Sequence, residues 1–152
     1  MSVRGFYFLS LMASSTFLLL CACGSSNNNP PPAQGINGCA ATSFPASSAA
    51  DAGGNVVVMF GSPLGLVYSP ACTTINAGQT LTFQGASAPA TFSVHPLTPG
   101  GANGTSGGSS GNPIVAQATG STYTVSFPAK GTFGYFCQVH QGSGMAGAVL
   151  VK

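Results

Sequence analysis

Charged side chains are almost absent from this sequence. They make up 3% of the chain, against about 25% in an ordinary soluble domain. Asp51 is the one acidic residue, which excludes catalysis by a pair of carboxylates. Arg4, Lys130 and Lys152 are the only basic residues, so the basic cluster that nucleic-acid binding requires is missing. We therefore expect no nucleic-acid partner.

Glycine (22) and proline (11) are frequent, and much of the remaining chain falls into short β-branched and aromatic runs. Beyond the N-terminal segment no window has the 3.6-residue period of an amphipathic helix. Short runs separated by turn residues predict an all-β fold, a Greek-key β-sandwich of seven or eight strands. The predicted strands are residues 56–60, 72–75, 79–83, 91–95, 114–117, 121–127, 132–137 and 146–151. Residues 100–112 are predicted to form a loop.

Residues 1–22 have the layout of a secretory signal peptide, with Arg4 ahead of an apolar run too short to span a bilayer. The run ends in Leu20-Cys21-Ala22-Cys23, which resembles a bacterial lipobox and implies cleavage before Cys23 and lipidation of its thiol. A plain secretory signal with an incidental cysteine is the alternative. Residues 23–38 are polar and proline-rich, so we expect a disordered tether there and a folded domain over residues 39–152.

The C-terminal segment offers three soft metal ligands on one short loop. Cys137, His140 and Met145 follow the spacing Cys-x2-His-x4-Met between two strand-like runs. A thiolate, two imidazoles and a weak thioether suit copper, whereas zinc prefers four strong ligands. His95 is the only other histidine and ends a strand-like run, so it is the candidate for the second imidazole. Taken singly, each of these residues would more often be part of a core than a ligand.

The same segment resembles the C-terminal signature of the cupredoxins, in particular the plastocyanin/pseudoazurin group. The signature reads Y-x-C-x2-H-x4-M-x-G-x-V-x-V, and its matching residues are Tyr135, Cys137, His140, Met145, Gly147, Val149 and Val151. Residues 68–83 and the Ser93-Val94-His95 run also resemble family stretches, so the likeness covers about residues 56–152. It implies one type 1 copper ion, held by His95, Cys137, His140 and axial Met145.

One departure from the family pattern concerns the residue after His95. Pro96 has no backbone N–H, whereas many relatives place there an amide that donates to the cysteine sulfur. We therefore expect the amide of Val139 to donate to the Cys137 sulfur instead.

Two further cysteines, Cys39 and Cys72, remain in the mature chain. Because an exported protein meets an oxidising environment, we expect a disulfide between them. Two separate buried thiols are the alternative.

The resemblance implies an electron carrier and not an enzyme. Related copper enzymes bind a second copper through histidines that flank the cysteine, and here Phe136 and Gln138 stand in those places. We expect a monomer, anchored by its N-terminal lipid in the cell envelope, that exchanges electrons with a redox partner protein. The alternatives are a copper storage or delivery protein and a surface β-sandwich without a redox role.

Overall fold

The computed structural model describes residues 35–46, 55–102 and 111–152. Within them lie eight strands: β1 (Val56–Phe60), β2 (Tyr68–Ser69), β3 (Cys72–Ile75), β4 (Thr80–Gly85), β5 (Leu97–Ala102), β6 (Thr122–Ser126), β7 (Gly131–Cys137) and β8 (Ala146–Val151). Two 3₁₀ turns, Ala41–Ser43 and Gln141–Ser143, are the other regular elements of these ranges. The predicted all-β class and number of strands are confirmed.

The candidate signal peptide, Cys23 and residues 23–34 of the tether lie outside the described residues. Across the ranges that the structure does describe, no helix has the length and apolar character needed to cross a membrane.

The strands form two four-stranded sheets, ordered β2-β1-β4-β6 and β3-β8-β7-β5. The chain changes sheet at every connection from β2 to β7, which gives the predicted Greek-key sandwich. β7 and β8 are antiparallel neighbours, so the end of β7 and the start of β8 lie at the same pole. Leu97, the first residue of β5, is paired with Cys137, the last residue of β7. The segment just before β5 therefore reaches that pole as well.

Alternating burial on the strands supplies the core between the sheets. The five residues of β1 alternate buried and exposed, so Val56, Val58 and Phe60 point inwards. Phe83 of β4 and Tyr135 of β7 meet in the middle, with ring centroids 4.9 Å apart. The same core cluster contains Cys137 and Met145, so the candidate ligands are continuous with the packing of the sandwich.

Three local predictions are wrong. Residues 91–95 form a turn instead of a strand, because the amides of Val94 and His95 both donate to the carbonyl of Thr91. Residues 97–102 form strand β5, although a loop was predicted from residue 100 onwards. The strand contains Pro99 and two glycines, and a register shift in its pairing with β7 makes room for them. Gln117 makes only an isolated bridge to Leu97 in place of the predicted strand 114–117.

An N-terminal segment, residues 35–46, packs on the outer face of the second sheet. Ile36 is buried there, and the Asn37 amide donates to the carbonyls of Tyr135 at 3.0 Å and Gly147 at 3.3 Å. A Cβ on Gly134 would come within 2.5 Å of the Ile36 side chain, so glycine is required for this close approach. Ile36 and Asn37, predicted from the sequence to lie in the tether, therefore contact the sheet.

The structure joins Cys39 to Cys72, 33 positions further along the chain, by a disulfide, the pairing that the sequence favours. The bond fastens the N-terminal segment to the edge strand β3, which pairs with β8.

A double Cys39→Ser/Cys72→Ser variant should unfold more easily because its denatured chain is no longer cross-linked. We expect the free energy of unfolding to fall by about 3–4 kcal/mol in the chain-entropy account. Urea unfolding of the metal-free protein measures this, and reduced wild type is the matched control, expected to unfold like the variant. Equal free energies for variant and oxidised wild type would contradict the expectation.

Candidate metal centre

The loop between β7 and β8 presents Cys137, His140 and Met145 from a short backbone path. The amide of Cys137 donates to the carbonyl of Met145 at 2.9 Å, which closes the loop at its base. The amides of Ser143 and Met145 both donate to the carbonyl of His140, at 3.0 and 3.2 Å. Gly144 ends the 3₁₀ turn with φ of 86°, a left-handed conformation that favours glycine. The backbone thus fixes where each side chain begins.

His95 reaches the same pole on the turn that precedes β5. Phe92, which is fully buried, anchors this turn in the core. On the other side, the amide of Gln138 donates to the carbonyl of Pro96 at 2.9 Å and joins the turn to the β7–β8 loop. Gly61 also borders the site, since a Cβ there would lie 3.6 Å from the His95 ring.

Three of the four predicted ligands converge. The Nδ1 atoms of His95 and His140 are 3.2 Å apart, and the Cys137 Sγ lies 3.4 Å from His140 Nδ1. The ligand atoms of these three residues all lie within 4.8 Å of one another. Met145, the fourth predicted ligand, is fully buried in the core cluster that also holds Cys137.

The four predicted ligands differ in how deeply they are buried. Cys137 and Met145 are 0% exposed and His95 is 8% exposed, whereas His140 is half-buried. Burial lowers the pKa of His95, and the nearby charge of His140 lowers it further. Both effects favour the neutral imidazole, the form that binds a metal ion.

Phe60 completes the inner wall, with its ring edge-on to the His95 ring at 6.1 Å between centroids. Sequence reasoning placed Phe60 on a strand but gave it no role at the site. The alternating pattern of β1 indicates only that the residue is buried, because what it faces depends on the opposite sheet.

The chemistry of this donor set fits copper. One thiolate and two imidazoles, largely shielded from water, form the trigonal His2Cys arrangement typical of copper electron-transfer sites. Described residues contribute no carboxylate to the cluster, and the donors oriented towards it are nitrogen and sulfur. A closed zinc site would need a fourth strong ligand, whereas Met145 could supply only a weak thioether.

The hydrogen bonding of the cysteine sulfur departs from expectation. Among the described residues, the hydrogen-bond partner of the Cys137 sulfur is His140 Nδ1. The Val139 amide, which we expected from the sequence to donate to this sulfur, does not do so. Residues 138–140 form a turn, and the Val139 side chain is 65% exposed on the outer side of the loop. Pro96 supplies no N–H either. The sulfur therefore receives no backbone amide from these two positions.

Comparison with known proteins gives the same class of site. A family model described as "Copper binding proteins, plastocyanin/azurin family" matches residues 55–152. The chain is 36% identical to plastocyanin of Scenedesmus fuscus over 101 residues, which are 64% of this chain and 100% of that protein. It is 35% identical to plastocyanin A/B of Petroselinum crispum over 90 residues, which are 58% of this chain and 90% of that protein. Amicyanin from Paracoccus versutus aligns at 22% identity and a TM-score of 0.41, over 64% of this chain and 81% of that one.

The chain belongs to the plastocyanin/azurin family of copper-binding proteins. It is a cupredoxin, as its sequence indicates, and its cofactor is one type 1 copper ion.

Copper should stabilise the folded chain through the Cys137 thiolate. We expect stoichiometric copper to raise the thermal midpoint of the wild type, because a ligand at 1,000 times its Kd adds about 4 kcal/mol. Cys137→Ala should lose this gain, and Val139→Ala, which alters an exposed neighbour on the same loop, should keep it. Differential scanning calorimetry with and without copper measures the effect. An undiminished gain in Cys137→Ala would contradict the assignment.

Proposed function

We propose that this protein carries single electrons between redox partner proteins in the cell envelope, through one copper ion that His95, Cys137, His140 and Met145 would hold. The convergence of one thiolate and two imidazoles at a buried pole of the sandwich is the observation that carries the proposal. Copper bound to such a donor set supplies a one-electron couple. Membership of the plastocyanin/azurin family supports the same function.

The contribution of the protein is to hold the donors still. Cys137 and Met145 are joined through the backbone of their own loop, and the bond from Gln138 to Pro96 joins that loop to the His95 turn. Donors held in this way change position little when the charge of the site changes, and a small rearrangement is what fast electron transfer requires.

The half-buried His140 is the proposed exit for the electron. Cys137, Met145 and His95 are buried, so the imidazole edge of His140 is the part of the donor set nearest to solvent. Exposed apolar side chains accompany the two histidines in sequence: Val94 precedes His95 and Val139 precedes His140. An uncharged docking surface around His140 follows from this arrangement.

The location rests on the N-terminal sequence. Residues 1–22 would act as a lipoprotein signal peptide, and a lipid on Cys23 would anchor the domain in the periplasm, at the outer or inner membrane. The domain itself would act as a monomer. Mass spectrometry of the mature N-terminus tests the lipid directly.

Reversible redox cycling tests electron carriage. Copper-loaded wild type should pass repeatedly between its oxidised and reduced forms at an electrode without losing metal, and it should show an intense visible thiolate-to-copper band. Cys137→Ser should lack that band. Release of copper on each reduction would favour storage or delivery, and failure to take up copper would favour a β-sandwich without a redox role.

Electron exchange should depend only weakly on salt. The charged side chains of the described residues are Lys130 and Lys152, which lie just before β7 and just after β8. Cys137 and Met145 lie at the opposite ends of these strands, roughly 20 Å away for a seven-residue strand. We expect the self-exchange rate between oxidised and reduced copies, measured by NMR line broadening, to change less than about threefold between 10 and 200 mM salt. A tenfold or larger change would contradict an uncharged docking surface.

A further inference from the structure

Tyr68 carries a buried hydroxyl that has no hydrogen-bond partner among the residues described. The side chain is 3% exposed, and its oxygen is fully shielded from solvent. Burial of an unpaired hydroxyl is unfavourable, and a phenylalanine would fill the same space without that penalty. Tyr135, which packs against Tyr68, shows the usual arrangement, since its hydroxyl donates to the carbonyl of Ala71 at 2.9 Å. The hydroxyl of Tyr68 therefore does nothing visible for the fold.

Tyr68 packs in the core cluster that also holds Cys137 and Met145. Its ring lies 5.0 Å from the ring of Tyr135, and Tyr135 and Cys137 are buried on the same inward face of β7, two residues apart. On the other side, the Tyr68 ring lies 6.1 Å from that of Phe60, which is itself 6.1 Å from the His95 ring. Burial raises the pKa of Tyr68, and the charge of Cys137 raises it further.

We propose that Tyr68 turns the hydrogen of its hydroxyl towards the Cys137 thiolate and so raises the reduction potential of the copper centre. This inference rests on the proposed function, because it concerns the same site. A hydroxyl hydrogen rotates to suit its surroundings. With no acceptor bonded to it, the nearby thiolate is the group that orients it. Reduction adds one negative charge to the centre, and the positive end of the O–H dipole favours the more negative state, more strongly in a dry interior than in water.

Tyr68 would then act on the copper centre through the dipole of its hydroxyl, without binding the metal itself. A purely structural role makes a different prediction, because loss of the hydroxyl would then alter stability and leave the potential in place. Tyr135 is the matched control, since it is an equally buried tyrosine of the same cluster whose hydroxyl already has a partner.

The test compares the full copper-loaded chain with its Tyr68→Phe and Tyr135→Phe variants by spectroelectrochemistry. For Tyr68→Phe we expect the ratio of reduced to oxidised protein at a fixed potential to fall about fivefold, a shift of about 40 mV at 59 mV per tenfold for one electron. The thermal midpoint of metal-free Tyr68→Phe should be unchanged or higher. Tyr135→Phe should lower that midpoint and shift the potential less.

An unchanged or higher potential in Tyr68→Phe would overturn the inference. A lower metal-free midpoint or failure to fold would do so too, because either result shows that the hydroxyl serves the fold. These results are separable from a failure of the proposed function. If wild type does not take up copper or does not cycle, the proposed function and this inference both fall. If wild type cycles and Tyr68→Phe has the same reduction potential as wild type, only the inference about Tyr68 falls.

Discussion

Two backbone hydrogen bonds at one pole of the sandwich fix the geometry on which the metal centre depends. The amide of Cys137 donates to the carbonyl of Met145, and the amide of Gln138 donates to the carbonyl of Pro96, both at 2.9 Å. The first closes the β7–β8 loop, and the second joins this loop to the His95 turn. Imidazoles 45 residues apart in sequence therefore meet with their Nδ1 atoms 3.2 Å apart. A donor set held by its backbone in this way suits a couple that must change charge with little movement.

Within the described residues, the length of the sandwich separates this pole from the two charged side chains. Lys130 and Lys152 lie at the far ends of β7 and β8 from the site. The N-terminal segment lies across the outer face of the second sheet, where the Asn37 amide bonds carbonyls of β7 and β8 and Cys39 is joined to Cys72. Among residues 35–46, 55–102 and 111–152, no charged side chain lies at the His140 pole, and residues 35–46 pack on a different face of the domain.

The site was easier to predict from the sequence than the strands around it. Cys137, His140 and Met145 lie within one nine-residue stretch, so their spacing predicts a soft donor set, and His95 is the candidate for the second imidazole because it is the only other histidine. The structure brings His95, Cys137 and His140 together. The strand 97–102 could not be predicted, because Pro99 and two glycines oppose strand structure locally and the pairing with β7 overrides them. Residues 91–95 alternate like a strand, yet two amides converge on the Thr91 carbonyl and form a turn. Phe60 borders the site only through its contact with His95, a residue from a distant part of the chain, so no local sequence pattern could predict this role.

One copper ion should be bound by two imidazoles and one thiolate, contributed by His95, His140 and Cys137. X-ray absorption at the copper edge tests this coordination most directly, in the copper-loaded wild type and in a copper-loaded His95→Ala variant. We expect two nitrogen scatterers and one short sulfur scatterer around copper in the wild type, and one nitrogen fewer from the protein in His95→Ala. A copper ion without a short sulfur scatterer, or the same surroundings in both proteins, would contradict it.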